Sequence, residues 1–310
     1  MADDVSSEKL GIYYIDFEED FNKLNGLLTS FDPKGIPLIR AYIDVDSDQL
    51  HYYPITIGQF ALAVFNTYHK TKNQDKRKHF LQIADWFLEN KTEDLTLGTY
   101  WLTHVPKPEY EVHAPWKSAF AQSRAISVLL RAWQLTSDSK YFDAAASSLQ
   151  IFTKDISDGG VAIRRPGSHI TYEEYVALQP TRVLDGAIFS LFGLFDFVRA
   201  TKDTGFSSEY SKANILLTEG LEGLRNILPD YDIGYWLQYS LCEVPSYPAF
   251  DPCTISYLNL VISQLKILNR VTNDTFWLER AHHFEKYLGM TNILRAYWLK
   301  FRALRKLKRL

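Results

Sequence analysis

The residues best suited to moving protons in this chain are Thr171-Tyr172-Glu173-Glu174-Tyr175, two phenols and two carboxylates almost in succession. Such groups exchange protons with a substrate when a cleft brings them together. Adjacent glutamates are more often solvated surface, and tyrosines more often pack by their rings, so the segment needs its surroundings to be read. Two-carboxylate glycoside hydrolysis could draw on Glu173, Glu174, Asp185 or Glu243, although spacing along a chain sets no distance between carboxyl groups.

Other chemistries find less support. No G-x-S-x-G motif is present, and nothing near Cys242 or Cys253 would activate a thiol. These two cysteines could close a small loop, but two buried thiols is the simpler reading. His282 and His283 are helix neighbours that face different ways, and the other histidines lack ligand spacing, so no metal is expected. Asp44, Asp46 and Asp48 have a calcium-like spacing without the glycine and distal glutamate of an EF-hand loop, which favours a polar turn. Asp158-Gly159-Gly160 reads as a turn rather than a phosphate cradle.

The chain of 310 residues is 46% hydrophobic, enough for one large core or two modest ones. Its net charge of -3 supplies no field for nucleic acid. Aromatic residues reach 15%, and while most would fill seams between helices, some suit a concave surface that stacks on sugar rings. Met1 to Lys9 is polar and acidic, unlike a signal peptide, and no apolar run reaches membrane-spanning length. A cytoplasmic location, or one peripheral to a membrane, is the expectation.

Helix pairs must position the Tyr and Glu segment. An apolar face through Ile55, Phe60, Ala63 and Val64 runs to about His69, and after a polar break a second carries Phe80, Ile83, Ala84 and Phe87. The pattern returns as Ser118 to Trp133 with Tyr141 to Phe152, as Leu184 to Val198 with Tyr210 to Leu228, and as Ile255 to Leu268 with Phe276 to Tyr287. Starts about 65 to 70 residues apart mark a helical repeat. The expected fold is mainly α: an incomplete (α/α) toroid of four αα-hairpins spanning residues 53–290. Residues 1–52 form a short irregular or β-containing arm in which 11–17 could be extended. Connections of roughly 25 residues, over 91–117, 157–183 and 229–253, are long enough to be functional, and in a toroid they emerge on one rim.

Residues 291–310 interleave Arg295, Lys300, Arg302, Arg305, Lys306, Lys308 and Arg309 with Leu294, Trp298, Leu299, Phe301, Leu304 and Leu307. This is a basic amphipathic helix, suited to an anionic membrane surface, a partner protein or an anionic ligand, or to packing on the body with its basic side in solvent.

Six ordered blocks carry a resemblance. They are Tyr53-Pro54-Ile55-Thr56-Ile57-Gly58-Gln59-Phe60, Trp116-Lys117-Ser118-Ala119-Phe120-Ala121-Gln122, Arg124-Ala125-Ile126-Ser127, Tyr172-Glu173-Glu174-Tyr175, Val183-Leu184-Asp185-Gly186 and Leu228-Pro229-Asp230-Tyr231-Asp232. Over about residues 50 to 290 the chain resembles the C-terminal domain of the D-glucuronyl C5-epimerases of heparan sulfate biosynthesis. The β-rich portion and membrane anchor that precede this domain in the animal enzymes are expected to be absent or reduced here.

The resemblance implies inversion at C5 of a uronic acid in a glycan, with no cofactor. A proton leaves one face beside the carboxylate and another returns on the opposite face. The family pattern places Glu174 and Tyr175 on one side and Tyr235 on the other. Lys117, Gln122, Arg124, Arg164, Arg182, Tyr53, Trp116, Gln238 and Tyr239 are the expected substrate contacts. A phenol acting as a base needs a cation nearby, for which Lys117, Arg124, Arg164, Arg165 and Arg182 are candidates. Two departures stand out: Pro252 replaces a family tyrosine, and Trp236-Leu237-Gln238-Tyr239 replaces Asp-x-Arg-His. Tyr239, Tyr247 or Tyr257 could substitute. A uronan lyase and a non-catalytic glycan-binding or membrane-associated assembly subunit are the alternatives, and a homodimer is compatible with an open repeat.

Overall fold

The turn between paired helices recurs with the same chemistry. Helix α1 (Pro54–Thr71) ends on Lys72 at φ 58°, and the Asn73 side chain then caps α2 (Gln74–Glu89). Helix α3 (Ala119–Thr136) ends on Ser137 at φ 59° before Asp138 caps α4 (Ser139–Ser147). Helix α7 (Ile255–Thr272) ends on Asn273 at φ 53° before Asp274 caps α8 (Thr275–Glu285). A left-handed residue stops one helix, and the next side chain accepts from the free amides of the following one, so the reversal takes two residues. The third pair, α5 (Leu184–Thr201) and α6 (Ser207–Ile227), turns through a longer link containing Asp203 at φ 54°.

The protein is described by a computed structural model over residues 5–17, 19, 28–41, 45, 49–164, 167 and 169–309. Helices α1, α3, α5 and α7 pack side by side in that order, and α2, α4, α6 and α8 lie outside them. The resulting mainly α fold is the incomplete toroid that the periodicity predicts. Inner helices α3 and α5 are buried around most of their circumference, whereas α2 buries a stripe through Phe80, Ile83, Ala84 and Phe87. Close approach of α3 and α5 is built on Gly193, where an added Cβ would stand 2.6 Å from the Ser123 Cα.

Both cysteines are free, Cys253 buried and Cys242 half-buried. The aspartates Asp44, Asp46 and Asp48 lie outside the described residues. No described helix is long and apolar enough to cross a membrane. The long connections are less bare than their composition implies, since they contain the ribbons β4 (Thr92–Asp94) with β5 (Gly98–Tyr100) and β6 (Ala162–Ile163) with β7 (Thr171–Tyr172).

The arm has two parts. Strands β1 (Leu28–Phe31), β2 (Pro37–Arg40) and β3 (Leu50–His51) form an antiparallel sheet that packs on the first hairpin, with Phe31 against Phe60. Residues 7–14 run irregularly across the late turns of the inner helices. Leu10 N–H donates to Gln134, Tyr13 N–H to Asn66, Tyr14 hydroxyl to Asp196 at 2.7 Å, and Arg199 to the Ser7 carbonyl. Beneath Tyr14 lies the fully buried pair Arg131–Asp196, at 2.7 Å.

Removing one member of such a pair leaves a buried charge uncompensated, at a cost of about 3–5 kcal/mol, whereas exposed pairs contribute about 0–1 kcal/mol. Arg131→Met is therefore expected to lower the unfolding free energy by about 3–5 kcal/mol, and Lys34→Met, in the exposed pair with Glu89, by less than about 1 kcal/mol. Equal urea midpoints for the two variants would contradict this account of the arm's seat.

Candidate active site

The second rim connection is pinned to the scaffold by Glu173. Its buried carboxylate accepts from the Thr181 amide at 2.6 Å, the Thr181 hydroxyl at 2.9 Å and the Arg182 amide at 3.0 Å. Its backbone amide reaches Val161, and its carbonyl takes the Ala119 amide at the start of α3. Tyr172 points the other way and donates to the Leu216 carbonyl of α6. These two side chains hold the loop, which leaves Glu174 and Tyr175 facing the rim.

Glu174 lies on the first turn of α5. A Cβ at Gly186 would stand 2.3 Å from Glu174 Oε2, so glycine is what lets the carboxyl approach. Glu174 and its neighbour Asp185 are 5% and 6% exposed, and Glu174 Oε2 and Asp185 Oδ1 have no hydrogen-bond partner among the described residues. Burial, reinforced by the charge of Asp185, holds the Glu174 carboxyl well above the usual range. Burial pushes Asp185 up to about 7, opposed by its own and the Gly186 amides and by Arg124. Two carboxyls so placed cannot both ionise at neutral pH, so the pair retains a proton.

Phenols surround the pair. Tyr175, Tyr110 and Tyr247 stack in sequence with centroids 5.1 Å apart at each step, and Trp116 leans on Tyr175 at 5.2 Å. The Tyr247 hydroxyl donates to Asp251 at 2.8 Å. On another side Tyr239 meets Tyr257 edge to face at 5.1 Å, and both feel the charges of Glu174 and Asp185. Tyr257 is 37% exposed with its hydroxyl hydrogen-bonded to Tyr239, so the cluster reaches solvent here. Burial first, and then neighbouring acids or phenols, raises Tyr110, Tyr239, Tyr247 and Tyr257 above the ordinary phenol value. All four are protonated donors at neutral pH. Lys107, 5.3 Å from the centre of the Tyr175 ring, is engaged by Glu109 at 2.6 Å.

Of the residues expected from sequence, Glu174, Tyr175, Trp116, Tyr53 and Tyr239 come together; Tyr53 meets the Trp116 ring edge-on and lies near Tyr257. The others are engaged elsewhere. Tyr235 lies half-buried with the Arg295 guanidinium 3.8 Å from its ring centre, and the interactions described for it do not reach Glu174 or Tyr175. Arg164 pairs with Glu219 and Arg182 with Glu243. Lys117 sits over the Tyr100 ring, Gln122 makes a long contact to the Trp101 carbonyl, and Gln238 one to Asp230. Arg124 is sealed inside by Phe120, Phe189, Phe17 and the Tyr13 hydroxyl. Arg165 lies outside the described residues. Lys107 and Glu109 were not anticipated; the charged, turn-forming run Lys107-Pro108-Glu109-Tyr110 in a rim connection was the available signal.

Residues 96–286 match the family described as D-glucuronyl C5-epimerase C-terminus. The chain is 32% identical over 223 residues to the D-glucuronyl C5-epimerase of Caenorhabditis elegans, a match covering 70% of this chain and 36% of the worm protein. It is 28% identical over 242 residues to an uncharacterised protein of Methanocaldococcus jannaschii, covering 73% and 74% of the two chains. Among solved structures, a selenomethionine derivative of a GH76 alpha-mannanase from Bacteroides thetaiotaomicron is similar with a TM-score of 0.46 at 15% identity, over 82% of this chain and 62% of that one.

The carboxyl pair makes stability depend on pH in a defined direction. The folded state holds a proton that the unfolded chain releases near pH 4, so the pair costs nothing below that value and progressively more as pH rises toward about 7. Asp185→Asn removes the part of this cost that belongs to Asp185. The variant should gain on the wild type between pH 4 and pH 8 by up to about 4 kcal/mol, from about 1.4 kcal/mol per pH unit. Urea unfolding at the two pH values measures it, and a difference independent of pH would refute the raised Asp185 carboxyl.

Proposed function

The chain belongs to the D-glucuronyl C5-epimerase C-terminus family, and from that premise we propose that its rim cluster inverts C5 of a glucuronate-type residue in a glycan. The observation that carries the reading is the buried Glu174–Asp185 pair ringed by protonated phenols, in the segment that the family resemblance singles out. Because the pair keeps one proton, a single carboxylate is left as the base, and we assign that role to Glu174, with the shared proton held on Asp185 when substrate is bound. The C5 proton passes to Glu174, and the electron pair moves into the substrate carboxyl as an enolate. A phenol returns a proton to the opposite face, and the base's proton restores the phenol through Tyr175 or solvent, so no cofactor is consumed.

The donor we assign is Tyr239, with Tyr257 behind it, rather than Tyr235. Both feel the charges of the carboxyls, and part of the Tyr257 side chain is exposed. Tyr175 hydrogen-bonds Glu174 and steadies it as an anion. Trp116 and Tyr53 supply ring surfaces for the sugar.

A second reading, glycan binding without turnover, is favoured by one observation. Two cations expected to grip a uronate carboxylate are already paired, Arg164 with Glu219 and Arg182 with Glu243, and Lys107 beside Tyr175 is paired with Glu109.

One experiment separates the two. Protein incubated in deuterated water with a glucuronate-containing oligosaccharide should place deuterium at C5, read by NMR. Glu174→Gln, Tyr175→Phe and Tyr239→Phe should each slow exchange by about 100-fold or more in protein that still unfolds cooperatively, and Tyr235→Phe by less than about tenfold. Glycan affinity without exchange supports the second reading, and full exchange by Glu174→Gln would overturn the assignment of the base.

A further inference from the structure

We propose that the outward face of helix α9 (Met290–Lys306) docks on an anionic bilayer surface. The helix packs in the reverse of the usual sense. Its small residues Ala296 and Ala303, seven apart, are buried against the body. On the inward side Lys300 pairs with Asp251 at 2.6 Å, Lys306 donates to the Tyr247 carbonyl at 2.9 Å, and Arg309 just beyond the helix pairs with Glu109. Basic side chains thus clasp the rim connections, and large apolar ones point away.

The exposed side chains are Met290 (72%), Leu294 (65%), Tyr297 (54%), Trp298 (61%) and Phe301 (51%). Their spacing of four, three, one and three residues makes a single helical stripe. A soluble helix ordinarily turns such a stripe inward, and a contiguous exposed patch marks an interaction surface. Phe250, beside the Asp251 that anchors Lys300, is also exposed.

Charge selects the occupant. Arg302 lies over the Trp298 ring at 4.9 Å and Arg305 near Phe301 at 6.0 Å, with no carboxylate paired to either among the described residues. Residues 290–310 contain no Asp or Glu. A second copy meeting this face across a two-fold axis would set arginines against arginines with no acid on either helix to offset them. An anionic lipid surface accepts both features. Trp, Tyr and Phe settle at the headgroup boundary while the arginines reach phosphates, and the helix lies in the plane of the interface. The inward clasp then fixes the rim connections on the membrane side of the protein.

The test is sedimentation of the full chain with vesicles of phosphatidylcholine alone and of phosphatidylcholine with phosphatidylglycerol, with light scattering of the free protein. The wild type should bind the anionic vesicles and release at high salt. The triple variant Leu294→Ser/Trp298→Ser/Phe301→Ser and the double variant Arg302→Glu/Arg305→Glu should each bind at least about tenfold more weakly while melting as the wild type does. Three results would overturn the proposal: no binding by the wild type, equal binding to uncharged vesicles, or a wild-type dimer that the triple variant dissociates while neither form binds lipid. If the serine variant fails to fold, the arginine variant alone decides.

Discussion

The constraint on which the candidate site depends is the crowding of two carboxyl groups into the first turn of one inner helix. Glu174 arrives from a neighbouring connection and occupies the space a side chain at position 186 would need, while Asp185 sits beside it in the chain. Neither carboxyl is solvated, so the ordinary solution of ionising both is closed. The amides at the start of α5 and Arg124 relieve part of the cost at Asp185. What remains is a shared proton, which distinguishes this cluster from an acidic patch on the surface. The phenols around it stay protonated for a related reason, since burial and nearby acids both disfavour phenolate.

Arg124 connects this end of the toroid with the other. Its guanidinium lies 4.2 Å from the Phe189 ring centre, and its Nε and one terminal nitrogen have no hydrogen-bond partner among the described residues. Aromatic faces and the Tyr13 hydroxyl take the place of carboxylate partners. Because Tyr13 belongs to the arm, the segment that closes the far end also helps to hold the charge that tempers Asp185. The arm is in that sense part of the site's electrostatics, although it is remote from the rim in sequence.

The hairpins were legible because their signals are local. Apolar residues at helical spacing and a left-handed residue followed by Asn or Asp act over a few positions, and Lys72-Asn73, Ser137-Asp138 and Asn273-Asp274 behave alike wherever they occur. The division within the Tyr and Glu segment came from the family resemblance, which matches Glu174 and Tyr175; the strand β7 ends at Tyr172 and does not reach them. Arg164 and Arg182 illustrate the limit. As free cations they looked suited to a substrate carboxylate, yet their partners Glu219 and Glu243 lie 55 and 61 residues further along the chain.

By itself the sequence determined a four-hairpin helical repeat and three long connections rich in polar aromatics, while the family resemblance singled out Glu174 with Tyr175. Tertiary structure alone decided that Asp185 joins Glu174, that Tyr239 and Tyr257 feel the charge of that pair while Tyr235 lies under Arg295, and that α9 turns its aromatic stripe outward. The physical reason is the range of the forces. Turn and helix preferences are settled by neighbours in the chain, but burial, charge pairing and the exposed side of a helix depend on groups that meet only after the chain has closed on itself.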